Sequence, residues 1–246
     1  MIDLNGFFRR YVKRLIKGKQ LEYRSFLFED LLTCLDGREV KRILEIGPRD
    51  GVDSLRLLQL KPDLLVLIDL PEKHDLINGW LGKLPSAKVE LILGNIMYDE
   101  RIRKLEPFDV VWCTGVLYHN PEQLRMVRML FDLVKPEGVL VIESATARRR
   151  GLRDEACVEL WHGVDKNVMR TYHLSSNITH LPSRKAIHAW LDMVGFSKVN
   201  LSSCHRRVSR GLAGSRSAFI ARRLPGDYPR GYYLSSGSGF DVGGAS

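Results

Sequence analysis

A glycine-bearing turn, a carboxylate one strand later and an imidazole beyond the fourth strand are the residues best placed for chemistry. The run Ile43 to Gly51 is an apolar strand carrying Glu45 that enters a turn with Gly47, Pro48 and Gly51 and continues into helical sequence. Glycine there lets the backbone bend at a strand end and lets a ligand approach without a Cβ in the way, as in nucleotide-type turns. Asp69, 24 residues after Glu45 and just before Leu70, closes the next apolar run. A carboxylate at that point can accept both hydroxyl protons of a ribose, which a neutral side chain cannot match in strength. His119, preceded by Tyr118, follows the apolar run Asp109 to Cys113 and Thr114. It sits where open α/β sheets place their ligands, and an imidazole titrates near neutral pH. A dinucleotide fingerprint would need glycine at 47, 49 and 52, but the chain has Gly47, Arg49 and Val52, which disfavours NAD or FAD.

These residues require a parallel sheet to present them. Strands are expected at Arg42–Ile46, Leu64–Asp69, Val89–Leu93, Asp109–Cys113 and Val139–Glu143. Helices are expected at Asp53–Leu60, Glu72–Leu81 with a break, Glu100–Leu105 and Glu122–Val134, the last opened by Asn120 and Pro121. From about 145 to 180 the alternation lapses into a basic and aromatic insertion expected to carry short helices of its own. Pro182 and Ser183 then open a helix to Val194, and Lys198–Cys204 with Ser217–Arg222 read as a closing antiparallel pair. The expected architecture is α/β, a Rossmann-like doubly wound sheet of about seven strands. A basic amphipathic helical region over 1–40 precedes the main domain at 41–224, and a Gly/Ser-rich tail occupies 225–246.

The motifs together resemble those of class I S-adenosylmethionine-dependent methyltransferases. The resemblance rests on Glu45, Gly47 and Gly51 in motif I, on Asp69, on Leu93-Gly94-Asn95-Ile96, on Phe108 to Pro121 with its Val116-Leu117-Tyr118-His119 run, and on Val134 to Glu143 with its Pro-x-Gly turn. It covers residues 42 to 143 and departs from the pattern at Arg49, where the middle glycine belongs, and at Asn95, where an aspartate is usual. It implies S-adenosylmethionine as cofactor, held by Glu45, Gly47, Pro48, Gly51, Asp69, Leu70, Asn95, Ile96, Cys113 and Thr114. Glu45 would help place the methionine-side amino group, and Asn95 would accept from the adenine amino group. Methyl transfer from a sulfonium needs aligned partners, and a base only when the nucleophile carries a proton. For a hydroxyl acceptor His119 is the candidate base, with Tyr118 orienting it. Plainer roles stand beside these: Glu45 and Asp69 as caps or loop-closing acceptors, Asn95 as a turn former, His119 as a structural histidine.

Asn177 to Ser183 and Ala189 to Phe196 make the chain similar to the tRNA wobble-uridine carboxymethyltransferase-like branch, which also holds small-molecule methyltransferases. The acceptor pocket is expected between 145 and 180, with Arg148, Trp161, His162, Tyr172 and His173 as lining residues and a solvated basic face as the plainer reading of Arg148 to Arg150. The preferred reading is O-methylation of a small-molecule or glycan-type acceptor. The alternatives are tRNA modification and a catalytically silent binding domain. There are 38 Lys and Arg against 29 Asp and Glu, giving net charge +9. This excess agrees with tRNA, a phosphorylated substrate, or peripheral contact of the N-terminal helix with anionic membrane. Four scattered cysteines argue against a disulfide framework, and no apolar run is long enough to cross a bilayer. With no secretory signal pattern at the N-terminus, the expected location is cytoplasmic. No metal cluster is evident, and oligomeric state cannot be read from the chain.

Overall fold

The computed structural model describes residues 22–82, 84, 89–152, 155–163, 177–208 and 215–229. The expected basic helix around Phe7 to Ile16, Tyr172, His173 and almost all of the Gly/Ser-rich tail lie outside them. Five parallel strands form the centre: β1 (Arg42–Ile46), β2 (Leu64–Asp69), β3 (Val89–Leu93), β4 (Phe108–Thr114) and β5 (Val134–Ala145). β9 (Arg216–Arg222) pairs antiparallel with β5, and β8 (Lys198–Leu201) antiparallel with β9, so the sheet runs β3-β2-β1-β4-β5-β9-β8. The order reverses between β1 and β4, which opens a crevice at the carboxyl ends of those two strands.

Both faces of the sheet are covered, which explains why its strands read as unbroken apolar runs. Ile43, Leu65, Leu67, Val110, Trp112 and Val141 face one way, onto Tyr23, Leu27 and Leu31 of α1, residues 22–35. Leu44, Val66, Val111, Leu140 and Ile142 face the other way. There they meet Met126, Val127 and Leu130 of α5 (Gln123–Leu133) and Ile187 and Leu191 of α6 (Arg184–Met193). Ser183 caps α6 by accepting the Ala186 N–H at 3.0 Å. Short helices α2 (Val52–Leu57), α3 (His74–Leu81) and α4 (Glu100–Arg103) join the first strands.

Several expected boundaries shift. The helix expected from Glu122 begins at Gln123, because Asn120 first closes a turn by accepting the Glu122 N–H at 2.8 Å. The strand expected through Cys204 stops at Leu201. Ser202 Oγ accepts the Cys204 N–H at 3.1 Å and starts α7 (Cys204–Val208) instead. Within the described part of the insertion, a 3-10 turn at Arg150–Leu152 precedes two antiparallel strands, β6 (Val158–Gly163) and β7 (Asn177–Pro182), which form a separate sheet that was not expected. The β-branched residues Val158, Ile178 and Thr179 favour strand here, and the register pairs Val158 with Pro182 and Gly163 with Asn177.

His205 of α7 is buried beneath the sheet edge, its ring 4.4 Å from that of Tyr23 and its Nε2 3.6 Å from Glu143. Neither ring nitrogen has a hydrogen-bond partner. Burial pushes its pKa down to about 4; Glu143 opposes that shift, while Arg216 and Arg184 reinforce it. The folded chain therefore refuses a proton that the unfolded chain accepts near pH 6.5, and this group's share of stability is lost as pH falls from 6.5 toward 4. Chemical denaturation of wild type and His205→Phe at pH 7.5, 6 and 5 should show wild type losing more stability on acidification. Parallel pH profiles would contradict it.

Candidate functional site

The crevice is floored by the turn that follows β1. Gly47 and Gly51 both adopt φ of 73°, and a Cβ at Gly47 would lie 2.7 Å from Val116 Cγ2, so a side chain at 47 would collide with the turn after β4. Glu45, at the end of β1, is buried and accepts from Ser54 Oγ at 2.6 Å, which fixes α2 against the strand. Burial, reinforced by the nearby negative charge of Asp53, pushes Glu45 up to about 8, so it is protonated at pH 7. Pro48 is buried under the same turn.

Asp53, two residues into the turn's helix, gathers the surrounding elements. Its Oδ2 accepts from Arg24 Nη1 of α1 at 2.9 Å and from Trp112 Nε1 and Thr114 Oγ1 of β4 at 3.3 Å each; its Oδ1 accepts from Arg56 Nη1 at 2.7 Å. A second buried carboxylate, Glu143 at the end of β5, is held by the Arg216 guanidinium through both of its oxygens, with Nη2 to Oε2 at 2.8 Å. Burial alone would raise the Glu143 pKa, but Arg216 keeps it below the usual range. Arg24 and Arg216 converge past β4: a Cβ on Gly115 would lie 3.6 Å from Arg24 Nη2 and 3.8 Å from Arg216 Nη2. Arg24, Arg56 and Arg216 thus meet the buried carboxyl groups of Asp53 and Glu143 at this end of the sheet, next to Glu45.

Asp69 is half-buried at the end of β2. It accepts the N–H of Leu70 at 2.8 Å, and the Arg49 N–H faces it across the turn. Burial raises its pKa against those two donors. A carboxylate with two donors retains lone pairs for two more. Asn95 is exposed after β3, its Oδ1 closing a turn on the Met97 N–H at 2.9 Å, while Ile96 is buried beneath. The Cys113 thiol points into the core and burial pushes it up to about 12, so only its backbone borders the crevice; the Thr114 hydroxyl is committed to Asp53.

Tyr118 and His119 lie in the 3-10 turn Leu117–His119, their ring centroids 4.1 Å apart, with the Arg216 guanidinium 5.5 Å from the Tyr118 ring. The surrounding protein, with the positive charges of Arg216 and Lys73, lowers the His119 pKa. The ring still meets solvent, which tempers that lowering, and it is uncharged at pH 7 in any case. Gln123 ties this turn to the insertion: its Nε2 donates to Leu117 O at 3.0 Å and to His180 O of β7 at 2.6 Å. On β6, Trp161 is partly exposed with the Arg148 guanidinium 4.3 Å over its ring, and the backbone of His162 pairs with Ile178. Among the described residues no group of three or more His, Cys, Asp or Glu is placed to hold a metal. Among them, too, no helix is long and apolar enough to cross a membrane.

Sequence reasoning passed over Arg24, Asp53, Arg216 and Gln123. Asp53 carried one usable signal, a carboxylate in the first turn of the helix after the glycines. The arginines carried none, because their partners are distant in sequence.

Residues 18–201 match the family model described as "Methyltransferase domain". The chain is 28% identical over 160 residues to the tRNA U34 carboxymethyltransferase of Desulforapulum autotrophicum, covering 65% of this chain and 46% of that protein. With the enzyme of the same name from Helicobacter pylori it shares 22% identity over 86% of this chain and 80% of the relative. The chain spans about half the length of the first curated relatives it matches. Among solved structures it resembles the N-terminal domain of EvdMO1 with SAH bound, at TM-score 0.57 and 20% identity over 80% of this chain and 79% of that one. It also resembles the glycopeptide N-methyltransferase MtfA complexed with S-adenosylmethionine, at TM-score 0.57 and 11% identity over 80% and 92%.

Because Asp53 balances Arg24 in the interior, Asp53→Ala should cost about 3 to 5 kcal/mol, the scale for orphaning one member of a buried pair. Urea denaturation measures this; a loss under about 1 kcal/mol would show that the pair is not holding α1 to the sheet.

Proposed function

The chain belongs to the methyltransferase-domain family, and from that premise we propose that it transfers a methyl group to a hydroxyl of a small-molecule or glycan-type acceptor. Its cofactor is S-adenosylmethionine. The residues at the crevice fit that molecule. Asp69, with lone pairs to spare, suits the ribose diol. The glycine turn from Gly47 to Gly51 leaves room beneath it, with Leu70, Asn95 and Ile96 at the adenine end. The guanidinium groups of Arg24 and Arg216, converging past β4, suit the carboxylate of the amino-acid end, whose amino group Glu45 was expected to help place. When bound, the cofactor supplies an electrophilic methyl group whose leaving sulfide needs no proton.

The rest of the reaction falls to the chain. The observation that carries the reading is His119, solvent-accessible and uncharged at the carboxyl end of β4, where the acceptor must come. A ring nitrogen of His119 takes the hydroxyl proton as the oxygen attacks, and Tyr118 packs against the ring to hold it. The β6–β7 sheet, fastened to this turn through Gln123, forms the acceptor side with Arg148 and Trp161. His162, Tyr172 and His173 remain acceptor candidates from sequence alone. The four free cysteines agree with a cytoplasmic setting.

Transfer to a tRNA wobble uridine is the second reading, supported by the names of the curated relatives and by the net charge of +9. Methyl transfer from labelled donor to hydroxylated small molecules, glycans and unmodified tRNA separates the two readings. Labelling of tRNA alone would overturn the first, and labelling of nothing by a donor-binding protein would favour a silent domain.

The two ends of the site should separate in mutants. Asp69→Ala should weaken S-adenosylhomocysteine binding by about 1 to 3 kcal/mol in titration calorimetry, the scale of a lost charge-assisted hydrogen bond. His119→Ala should leave that affinity within about twofold and lower turnover by about 100-fold or more. Unchanged turnover would remove His119 from the mechanism.

A further inference from the structure

Arg49 is an L-residue in a conformation that suits glycine. Its φ is 48°, between Gly47 and Gly51 at 73°, and its side chain is exposed, so core packing does not hold it there. Both of its backbone polar groups are engaged. Its N–H faces the Asp69 carboxylate across the turn and lowers that group's pKa, and its carbonyl accepts from Trp80 Nε1 of α3 at 3.0 Å. The same indole lies on the backbone of Gly51: a Cβ there would come within 2.4 to 2.8 Å of the Trp80 ring atoms Cε3, Cδ2 and Cζ3. One side chain, delivered by the helix after β2, thus presses on the turn after β1 at two points.

We propose that Trp80 is a positioning residue for the donor site, holding Arg49 in its left-handed conformation so that the Arg49 N–H keeps Asp69 aimed at the ribose. The clamp answers a particular local problem. An arginine at 49 returns to right-handed or extended backbone when released, swinging its N–H away from Asp69. A glycine at 49 needs no such restraint, because it populates the left-handed region at no steric cost. Dependence on Trp80 should therefore vanish when residue 49 can reach its conformation unaided. This inference rests on the reading that the donor lies over the turn and on Asp69.

A double-mutant cycle tests it, with S-adenosylhomocysteine affinity read by titration calorimetry and folding by urea denaturation. Trp80→Phe removes the N–H donor and should weaken binding roughly 3- to 10-fold, the range of one net hydrogen bond. Arg49→Gly alone should stay within about twofold of wild type, and adding Trp80→Phe to it should change affinity by less than about twofold. A structural role for Trp80 would lower affinity equally in both backgrounds, and that result would overturn the proposal, as would full affinity in Trp80→Phe. Should Trp80→Phe fail to fold, replacing the indole of Trp80 by the isosteric benzothiophene keeps the ring, removes only the N–H and carries the same comparison. Wild type that binds no S-adenosylhomocysteine would overturn the donor reading and the clamp together; wild type that binds, with an additive cycle, overturns the clamp alone.

Discussion

The carboxylate of Asp53 is the constraint on which the catalytic end of the sheet depends. It is almost wholly enclosed, and donors from α1, α2 and β4 reach it: Arg24, Arg56, Trp112 and Thr114. A charge buried this deeply is tolerable only when it is paired and hydrogen-bonded, so the three elements must stay in register around it. Its consequences reach the crevice. Its charge helps keep Glu45 protonated, and it draws the Arg24 guanidinium in beneath Gly115. A neutral glutamate and two inward arginines thus meet at the carboxyl ends of β1, β4 and β5.

Around that anchor the site divides its labour by electrostatics. On the donor side, Asp69 is steadied by two backbone N–H groups, one from its own strand end and one from the turn after β1. On the acceptor side, His119 stands in a positive neighbourhood set by Arg216 and Lys73, which disfavours its protonated form. In the proposed reaction, with His119 as an uncharged base and a donor whose leaving group needs no acid, alignment is the protein's main contribution. The small second sheet serves that alignment. β6 and β7 stand apart from the main sheet, and the Gln123 amide joins β7 to the turn that carries His119.

Much of this was legible in the sequence, for physical reasons. β1, β2 and β3 have the boundaries their residues imply; for β1 and β2 the reason is that strands buried on both faces leave apolar runs between turn residues. Glu45, Gly47, Gly51, Asp69 and His119 were visible because short-range strand-turn-helix order places them at one edge. What escaped was long-range or local competition. Arg24 meets Asp53, and Arg216 meets Glu143, across separations that no spacing encodes. Ser202 spends its hydroxyl on the Cys204 N–H and turns an expected strand end into a helix. The β6–β7 pair was not foreseen because its apolar residues Leu160, Trp161 and Ile178 stay exposed while Glu159 is buried, so no apolar face marks it in the sequence. Cys113 was placed by its motif position, but the alternation of β4 sends its side chain into the core.

The central claim is that one donor molecule lies along the edge from Asp69 to Arg24. A crystal structure of the chain with S-adenosylhomocysteine tests it most directly. Both ribose hydroxyls are expected on the Asp69 carboxylate, and the amino-acid carboxylate paired with Arg24. Density for the ligand elsewhere, or a bound ligand whose ribose leaves Asp69 untouched, would contradict it.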